Sequence, residues 1–248
     1  MRQLWVTDDE CTLDGVRFVV GKADFDNLKT TADRVWVLKG KPFFDRYAAV
    51  FGDLNPETVL EVGVFEGGSA LLLADRWPES KIVGIDIREP NPEVDLHIKR
   101  LGFDGRISLN YRTSQADRAA VTAIIERDFP DGIDIVIDDA SHSYEMTKQT
   151  FDIVFPFVRA GGLYIVEDWA WAHWRDWQMT DNWKDDPALS NLLFEVIMAC
   201  ASSSWIISEV YANASFFGVR KDAACPKMGG DFKLSDSYLL RGRTLNKI

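Results

Sequence analysis

Hydrophobic and polar residues follow two different periods along the chain, and the order of these periods predicts the fold. From residue 58 onward, short runs rich in valine and isoleucine alternate with segments in which apolar residues recur every three to four positions. The runs predict β-strands and the segments predict α-helices. The predicted strands are Thr58–Val62, Lys81–Ile87, Arg106–Tyr111, Ile133–Asp138 and Leu163–Glu167. The predicted helices are Gly68–Arg76, Ala116–Phe129, Tyr144–Val158 and Asn191–Ala201.

Strands and helices that alternate with short loops predict a parallel sheet with helices on both faces. Two later strand-like runs, Trp205–Val210 and Ser215–Arg220, are separated by only four residues, so they must pair antiparallel. We therefore expect an α/β fold: a Rossmann-like, doubly wound and mostly parallel sheet that closes with an antiparallel hairpin.

The first 57 residues carry a weaker pattern. Residues 1–22 alternate around Asp14-Gly15, which predicts a hairpin, and Phe43–Phe51 has the apolar spacing of a helix. The chain is long enough for one large domain. We expect one structural domain with three parts: an N-terminal hairpin and helix extension (1–57), a Rossmann-like core (58–222) and a C-terminal tail (223–248).

Charge and cysteine content limit the partners and the location. A net charge of −11 argues against a nucleic-acid partner and against an anionic membrane surface, because both require clustered lysine and arginine. The cysteines Cys11, Cys200 and Cys225 are odd in number and far apart, which is typical of reduced thiols. The first residues lack a secretory signal, and the longest apolar runs have strand length. We expect a cytoplasmic protein.

A glycine-rich turn follows the first parallel strand. Glu61-Val-Gly63-Val-Phe-Glu-Gly67-Gly68-Ser69 leads from the strand into a helix, and glycine is needed where a bound cofactor lies against the backbone. The next strand ends in Asp86, 23 positions after Gly63, close to the ~20 expected for a carboxylate that binds ribose hydroxyls. Together they favour a nucleoside-containing cofactor. The alternative is an ordinary turn and a solvated strand-end aspartate.

Two kinds of cofactor fit such a turn. Tyr144 and Lys148 match the Tyr-x-x-x-Lys pair of short-chain dehydrogenases, but the glycine pattern of that family requires glycine where this chain has Ser69. The order of Glu61-Val-Gly63, Asp86 and Gly161-Gly162 instead resembles class I S-adenosylmethionine-dependent methyltransferases. This resemblance implies a cofactor site formed by Glu61, Gly63, Gly67, Ser69, Asp86, Ser114, Gln115 and Asp117. For the last three, near the adenine, the alternative is a helix N-cap.

Acidic residues end the fourth and fifth parallel strands. Neighbouring parallel strands bring Asp139, Glu167 and Asp168 to the same edge of the sheet. Carboxylates crowded together repel unless a cation lies among them, and oxygen ligands favour Mg²⁺, with Mn²⁺ as a substitute. His142, three residues after Asp139, is suited to act as a general base on a hydroxyl. The alternatives are solvated strand ends and a surface histidine.

A narrower resemblance rests on Asp138-Asp139-Ala-Ser-His142, the following helix, Gly161-Gly162 and Glu167-Asp168. This order resembles the metal-dependent sugar O-methyltransferases of the macrocin type and the cephalosporin hydroxylase-like family, which includes rhamnosyl O-methyltransferases. The resemblance implies a homo-oligomeric enzyme that methylates a sugar hydroxyl, with His142 and Asp139 as catalytic residues. The metal ligands that it implies are Asp139, Glu167 and Asp168.

Three alternatives stay open at this point. Catechol O-methyltransferases carry a lysine where this chain has His142, which argues against a catechol or other phenolic acceptor. A short-chain-type oxidoreductase would use NAD(P) together with Tyr144 and Lys148. A non-catalytic module would bind the nucleoside and leave the strand-end acids unused.

Five of the nine tryptophans fall in one short segment after the fifth strand, at Trp169, Trp171, Trp174, Trp177 and Trp183. Aromatic faces stack on the C–H surfaces of sugars, so this segment is a candidate substrate lid. The equal alternative is packing into a core or a subunit contact. His173, in the same segment, rivals His142 as the base.

Overall fold

The computed structural model describes residues 3–21, 28–52, 54–177, 180 and 184–248. The chain divides into two compact units, Met1–Arg112 and Thr113–Ile248. This boundary falls inside the segment 58–222 that the sequence predicts as one core. The three predicted parts of a single domain stay a prediction.

The first unit begins with a four-stranded sheet in the order β1-β2-β3-β4. The hairpin predicted at Asp14-Gly15 is present, and both residues have the positive φ of a tight hairpin turn (46° and 79°). The fourth strand was not predicted from the sequence, because four residues are too few to reveal an alternation; it pairs parallel with the third. The strands are β1 Gln3–Thr7, β2 Glu10–Leu13, β3 Val16–Val20 and β4 Arg34–Val37.

The rest of the first unit alternates helices and parallel strands. The strands β5, β6 and β7 lie side by side in that order, all parallel. One helix, α3, was missed in the sequence, although Asn91 followed by Pro92 is a typical helix start and the Asn91 side chain accepts a hydrogen bond from the Glu93 amide. The elements are α1 Lys41–Phe51, β5 Thr58–Val62, α2 Gly68–Arg76, β6 Lys81–Ile85, α3 Pro92–Arg100 and β7 Ile107–Asn110.

The second unit also combines a parallel strand pair with helices. Strand β8 pairs parallel with β9, β9 pairs antiparallel with β11, and β11 pairs antiparallel with β10. The closing antiparallel hairpin and the α/β fold class are therefore confirmed. The elements are α4 Arg118–Asp128, β8 Ile133–Asp138, α5 Tyr144–Val154, β9 Val158–Glu167, α6 Ser190–Ser202, β10 Ile207–Ala212 and β11 Phe216–Lys221.

The boundary between α5 and β9 corrects the predicted helix Tyr144–Val158. The helix ends at Val154 and passes into a 3-10 turn, Phe155–Phe157, because Pro156 lacks the amide donor that the next α-helical hydrogen bond would need. Strand β9 then starts early and runs ten residues through Gly161-Gly162. A Cβ on Gly162 would approach the Asp134 carbonyl oxygen to 2.9 Å, so this glycine serves strand packing.

No helix in the described part of the chain is long and apolar enough to cross a membrane.

Candidate active site

The loop after β8, residues 139–143, is called here the catalytic loop. It brings three potential ligands together in the second unit: one ligand atom each of Asp139, His142 and Asp168 lies within 4.8 Å of the others. The His142 Nε2 atom is 3.8 Å from Asp139 Oδ1 and 3.9 Å from Asp168 Oδ2. These separations are too long for direct hydrogen bonds. They match the roughly 3–4 Å between atoms that share one ion at bond lengths near 2.1 Å.

Two of these three residues have a backbone conformation that side chains seldom adopt. His142 and Asp168 both have φ of +54°, in the left-handed region. This conformation costs about 1–2 kcal/mol in a residue other than glycine. Neighbouring bonds hold it: the Asp168 amide donates to the Ser215 carbonyl (2.8 Å), and Gln115 Oε1 accepts from the Ser141 amide (3.1 Å). Backbone strain of this kind is concentrated at functional sites.

The close group of potential ligands suits a hard divalent cation and overlaps in part with the ligands predicted from the sequence. Asp139 and Asp168 are among the three close ligands, and their side chains are 16% and 23% exposed. The third predicted ligand, Glu167, does not belong to the close group; it is 1% exposed and pairs in register with Phe216. His142 takes the third place in the geometry. The ligand set Asp139, Glu167 and Asp168 stays a prediction.

The aspartate before Asp139 has a different function. Asp138 is buried, and its Oδ2 accepts a hydrogen bond from the Tyr164 hydroxyl at 2.9 Å. Burial, with a smaller contribution from the nearby charge of Asp139, raises the pKa of Asp138 to about 7 against the lowering effect of the Tyr164 bond. In the Asp138-Asp139 pair, the first residue is therefore structural and the second faces the site.

One of the clustered tryptophans contacts the histidine. The ring of His142 lies 4.5 Å from that of Trp171, which stacks on Trp177 at 4.9 Å. The Trp169 indole donates to the Asn213 carbonyl at 2.8 Å, and Trp174 is 44% exposed. Trp183 lies outside the described residues. Trp171 thus lies against His142, and the function of the segment as a substrate lid stays a prediction.

A shallow pocket opens beside His142 and Asp168. Its lining also includes Trp169, Trp171 and residues 186–189. The rival base, His173, is not among the lining residues; its Nε2 atom is 2.8 Å from the Ser190 hydroxyl. This geometry favours His142 as the base.

The glycine turn in the first unit, Gly63–Gly67, is called here the cofactor loop. Asp86 Oδ2 accepts hydrogen bonds from the amides of Val64 (2.8 Å) and Phe65 (2.7 Å), and Oδ1 accepts from the Arg88 amide (2.7 Å). Phe65 has a φ of +52°, so this loop also contains a strained residue. The predicted ribose carboxylate therefore organises the loop backbone, and its contact with a ribose stays a prediction.

The predicted cofactor glycines have internal packing reasons as well. Gly67 has a φ of +78°, and a Cβ there would meet Val94 Cγ1 at 2.5 Å. Gly63 has a φ of +95° and its amide donates to Ile85. Glu61 is completely buried on β5, and Ser69 is buried in the first turn of α2. Their contact with a cofactor stays a prediction.

Sequence reasoning overlooked Glu66, which joins the cofactor loop to the N-terminal sheet region. Its Oε2 accepts from the Thr30 amide and from Asn91 Nδ2, both at 2.7 Å, and Arg88 lies 3.6 Å from Oε1. The Thr30 hydroxyl donates back to the Glu66 carbonyl at 2.8 Å. In the sequence, the only indication of this role was an acidic residue between Gly63 and Gly67 of the turn. Its partner Thr30 is 36 positions away.

The three residues predicted near the adenine make local bonds in the second unit. Asp117 accepts from the Ala120 amide and caps α4, and Ser114 Oγ accepts from the Ala116 amide. Gln115 is buried and bridges Thr150 on α5 (2.8 Å) to Ser141 in the catalytic loop. The N-cap alternative holds for Asp117. Adenine contact stays a prediction for all three residues.

The dehydrogenase alternative fails on the surroundings of its tyrosine. Tyr144 is 2% exposed and its hydroxyl donates to buried Glu195, which also accepts from Lys148. Burial and the Glu195 carboxylate raise the pKa of Tyr144 far above its ordinary value. A tyrosine acid or base needs a pKa near the working pH. The Tyr144–Lys148 pair is therefore structural.

Comparison with known proteins agrees with this geometry. Residues 60–169 match the family described as a methyltransferase domain, and the match includes the cofactor loop and the catalytic loop. The match ends just after Asp168, so all three of the close potential ligands lie inside it.

Part of the chain is also similar to curated O-methyltransferases. Mycinamicin VI 2''-O-methyltransferase of Micromonospora griseorubida is 33% identical over 142 residues, which are 54% of this chain and 32% of the relative. Demethylmacrocin O-methyltransferase of Streptomyces fradiae is 32% identical over 141 residues, again 54% of this chain and 32% of the relative. The matched part is thus about a third of the length of these relatives.

Solved structures share the fold. The mycinamycin-pathway methyltransferase MycE, solved with Mg, SAH and mycinamycin VI, has a TM-score of 0.56 and 28% identity over 73% of this chain and 49% of its own. A caffeoyl-CoA O-methyltransferase candidate from Staphylococcus aureus has a TM-score of 0.52 at 15% identity, which supports the fold alone.

Proposed function

We propose that the chain is an S-adenosylmethionine- and Mg²⁺-dependent O-methyltransferase that acts on a hydroxyl group of a sugar or a glycosylated small molecule. The observation that carries the proposal is the close group Asp139, His142 and Asp168 at strand ends within the match to a methyltransferase domain. A further relative, 30% identical, is named as an 8-demethyl-8-alpha-L-rhamnosyl tetracenomycin-C 2'-O-methyltransferase, and the related MycE structure was solved with Mg and SAH; both support the proposal.

The chemistry requires a base because an aliphatic hydroxyl is a very weak acid. S-Adenosylmethionine supplies an electrophilic methyl group, and Mg²⁺ lowers the pKa of a hydroxyl bound to it. Asp139 and Asp168, with Glu167 as the third predicted ligand, would hold the metal. In this assignment His142 does not ligate the metal, and its Nε2 atom, which faces both aspartates, would accept the hydroxyl proton. The acceptor oxygen would bond to the methyl carbon as the carbon–sulfur bond to that methyl breaks, which leaves S-adenosylhomocysteine, a methylated acceptor and a protonated imidazole.

The cofactor loop would hold the nucleoside. Asp86 fixes the backbone of Val64 and Phe65, and a carboxylate has further acceptor positions for ribose hydroxyls. Glu61, Gly63, Gly67 and Ser69 would shape or bind the cofactor. Ser114, Gln115 and Asp117 remain the proposed adenine side.

Calorimetry tests the proposal directly. Purified protein is titrated with S-adenosylhomocysteine, once with Mg²⁺ and once with EDTA, and with NADH as the comparison ligand. We expect saturable binding of S-adenosylhomocysteine and no binding of NADH. We also expect a separate heat of Mg²⁺ binding that is lost in Asp139→Ala. NADH binding alone, or an Asp139→Ala variant with unchanged ligand and metal affinities, would contradict it.

A phenolic acceptor is the second candidate, and activity assays separate the two. Methyl transfer is measured to a rhamnosyl glycoside and to catechol at equal concentrations. His142 near the two aspartates favours the glycoside, because a phenol is a stronger acid and needs less help from a base. Transfer to catechol alone would replace the sugar by a phenol in the proposal.

We propose that the enzyme is a homo-oligomer. Helix α6 presents Phe194 and Ile197 to solvent (43% and 47% exposed), and its only charged residue, Glu195, is buried. An uncharged apolar helix face is typical of an interface. Light scattering after size exclusion should give a multiple of the chain mass for the wild type and a smaller assembly for Ile197→Asp. A monomeric wild type would contradict this proposal.

We propose the cytoplasm as its location and no nucleic acid or membrane as partner. The three cysteines are free thiols and the net charge is −11. Cell fractionation and filter binding to DNA and RNA are the tests; a membrane-bound fraction or salt-sensitive nucleic-acid binding would contradict it.

A further inference from the structure

The backbone of Ile248 is held at the start of helix α6 by hydrogen bonds. Its amide donates to Asn191 Oδ1 (3.2 Å), and its carbonyl oxygen accepts from Asn191 Nδ2 (2.9 Å) and from the Ala188 amide (2.7 Å). Asn191 is completely buried, whereas Ile248 is 61% exposed. The attachment therefore depends on the backbone of residue 248 and hardly on its side chain.

The preceding residue, Lys247, reaches the start of helix α5. Its Nζ atom lies 2.5 Å from Glu145 Oε1 and 4.2 Å from the centre of the Tyr144 ring. The ion pair is exposed and contributes little by itself, but an ammonium is also attracted to an aromatic face. Residues Lys247–Ile248, called here the strap, thus join the starts of α5 and α6.

Both attachment points adjoin the candidate active site. Tyr144 is buried and directly follows the catalytic loop. Residues 186–189 belong to the lining of the pocket beside His142, and the amide of Ala188 in that segment donates to the strap. The strap therefore links the residue that follows the catalytic loop to a second segment that borders the same histidine.

The catalytic loop needs restraint on both sides of His142. This residue has a φ of +54°, a strained conformation that persists only where the surroundings fix it. On the N-terminal side, Gln115 Oε1 accepts a hydrogen bond from a loop amide at 3.1 Å. On the C-terminal side, the Tyr144 hydroxyl donates to buried Glu195 on α6, and Lys247 lies over the Tyr144 ring. The strap is thus part of the restraint on the C-terminal side.

We propose that the strap positions the catalytic loop for methyl transfer, with Asn191 and Lys247 as positioning residues. The proposal rests on the O-methyltransferase function given above. The strap buries little apolar surface, so its release should leave the fold intact. It should, however, free His142 from the geometry in which its Nε2 atom faces Asp139 and Asp168.

Paired substitutions at residue 248 separate the backbone of the strap from its side chain. Ile248→Pro removes the amide that donates to Asn191, and Ile248→Ala keeps it. Methyl transfer from S-adenosylmethionine to methyl α-L-rhamnopyranoside is measured for both variants. In Ile248→Pro we expect kcat to fall by up to about 100-fold, as for a small misplacement of a catalytic group. Ile248→Ala should match wild type, because the side chain is mostly exposed.

Asn191→Asp tests the strap from the other side. The carboxylate keeps the shape of the amide, but it has no donor and would face the carbonyl oxygens of Ala188 and Ile248. It should lower kcat as Ile248→Pro does, and the double variant should lose no more than either single variant. Losses that multiply in the double variant would show that the two residues act independently, and would overturn the strap.

Hydrogen exchange distinguishes positioning from a loss of overall stability. In Ile248→Pro, amides in residues 139–147 and 186–191 should exchange about 2- to 10-fold faster, as for one lost hydrogen bond, whereas β10 and β11 should exchange as in wild type. The affinity for S-adenosylhomocysteine, measured by calorimetry, should not change, because the cofactor loop belongs to the other unit. Faster exchange throughout the chain together with weaker binding would reduce the strap to a general effect on stability and overturn the positioning.

Two further outcomes separate the strap from the function. Unchanged kcat and unchanged exchange in Ile248→Pro and Asn191→Asp, in a protein whose wild type methylates the glycoside, would overturn the strap and leave the function standing. Faster local exchange in both variants, in a protein whose wild type methylates neither the glycoside nor catechol, would overturn the function and with it the catalytic purpose of the strap. The hold of the strap on the catalytic loop would then still stand.

Discussion

The cofactor loop and the catalytic loop use carboxylates in opposite ways. Both follow a buried parallel strand and both contain a residue with left-handed backbone, Phe65 in one and His142 in the other. In the cofactor loop region, Asp86 and Glu66 accept hydrogen bonds from backbone amides and from Asn91. In the catalytic loop, Asp139 faces Asp168 and a histidine at distances beyond hydrogen bonding. The first arrangement fixes the backbone of a loop, and the second places side-chain atoms that suit a cation and a proton.

The largest effect should come from the base. In His142→Ala we expect kcat to fall roughly 10²–10⁴-fold, the range for loss of a general base. Affinity for S-adenosylhomocysteine should not change, because the imidazole does not belong to the cofactor loop. Steady-state kinetics and calorimetry measure the two quantities.

His173→Ala is the matched control for that substitution. Its Nε2 atom is close to Ser190 and it does not line the pocket, so turnover should stay within about 3-fold of wild type. Near-wild-type turnover in His142→Ala together with a collapse in His173→Ala would move the base to His173.

The next-largest effect should appear in Asp86→Asn. Unlike His142→Ala, this substitution should lower both the stability of the fold and the affinity for the cofactor. In Asp86→Asn the amide keeps one acceptor oxygen but loses the charge that three backbone amides share. We expect losses of about 1.5–3 kcal/mol, the value of hydrogen bonds to a charged group, in the free energy of unfolding and in cofactor binding together. Urea unfolding and calorimetry measure them.

Glu89→Gln gives the control for Asp86→Asn. Glu89 lies three residues after Asp86 and forms an exposed ion pair with Arg112. The two side chains are 72% and 69% exposed. Such a pair contributes only about 0–1 kcal/mol. Weaker cofactor binding in Asp86→Asn without any loss of stability would show that Asp86 binds the ligand and does not organise the loop.

A smaller effect should come from the residue that anchors the catalytic loop. Gln115→Leu removes the partner of the Ser141 amide, in a part-buried hydrogen bond, and of the Thr150 hydroxyl, in a buried one. We expect a loss of about 1–2 kcal/mol in unfolding free energy and a lower kcat, because His142 follows Ser141 directly. If Gln115 contacts the adenine instead, the cofactor affinity should fall and kcat should not.

These residues show which parts the sequence could predict. Asp139, Asp168 and His142 were predictable because parallel strands end at the same edge and because three positions separate the histidine from the first aspartate. The bonds of Gln115 to Ser141, 26 positions away, and of Glu66 to Thr30, 36 positions away, were not, since they depend on contacts that no local period reports. The same limit left Tyr144 and Lys148 ambiguous until Glu195 was seen beside them.

The smallest effect should come from a buried cation that belongs to neither loop. The Lys221 ammonium is 2% exposed and donates to the carbonyls of Phe155, Pro156 and Val158 at 2.8–3.2 Å. It thereby stabilises the turn that ends α5. Burial lowers its pKa below the ordinary value, and the neighbouring Cys225 acts in the opposite direction.

Substitution of Lys221 should therefore change stability and nothing else. Because the pKa of Lys221 is lower in the folded protein than in the unfolded chain, the unfolded chain binds more protons at pH values between the two pKa values. The contribution of Lys221 to the unfolding free energy is therefore largest above the unfolded-state pKa. It is lost as the pH falls through the folded-state pKa. Lys221→Met should cost about 1 kcal/mol near neutral pH and more toward pH 10, with kcat and cofactor affinity unchanged. Urea unfolding of wild type and Lys221→Met across pH 7–10 measures this difference. The experiment is repeated with Cys225→Ala added to both proteins, because the neighbouring thiol is also titratable. A stability difference that shrinks with rising pH would mean that the folded protein favours the charged amine, and the three carbonyls would then outweigh the effect of burial.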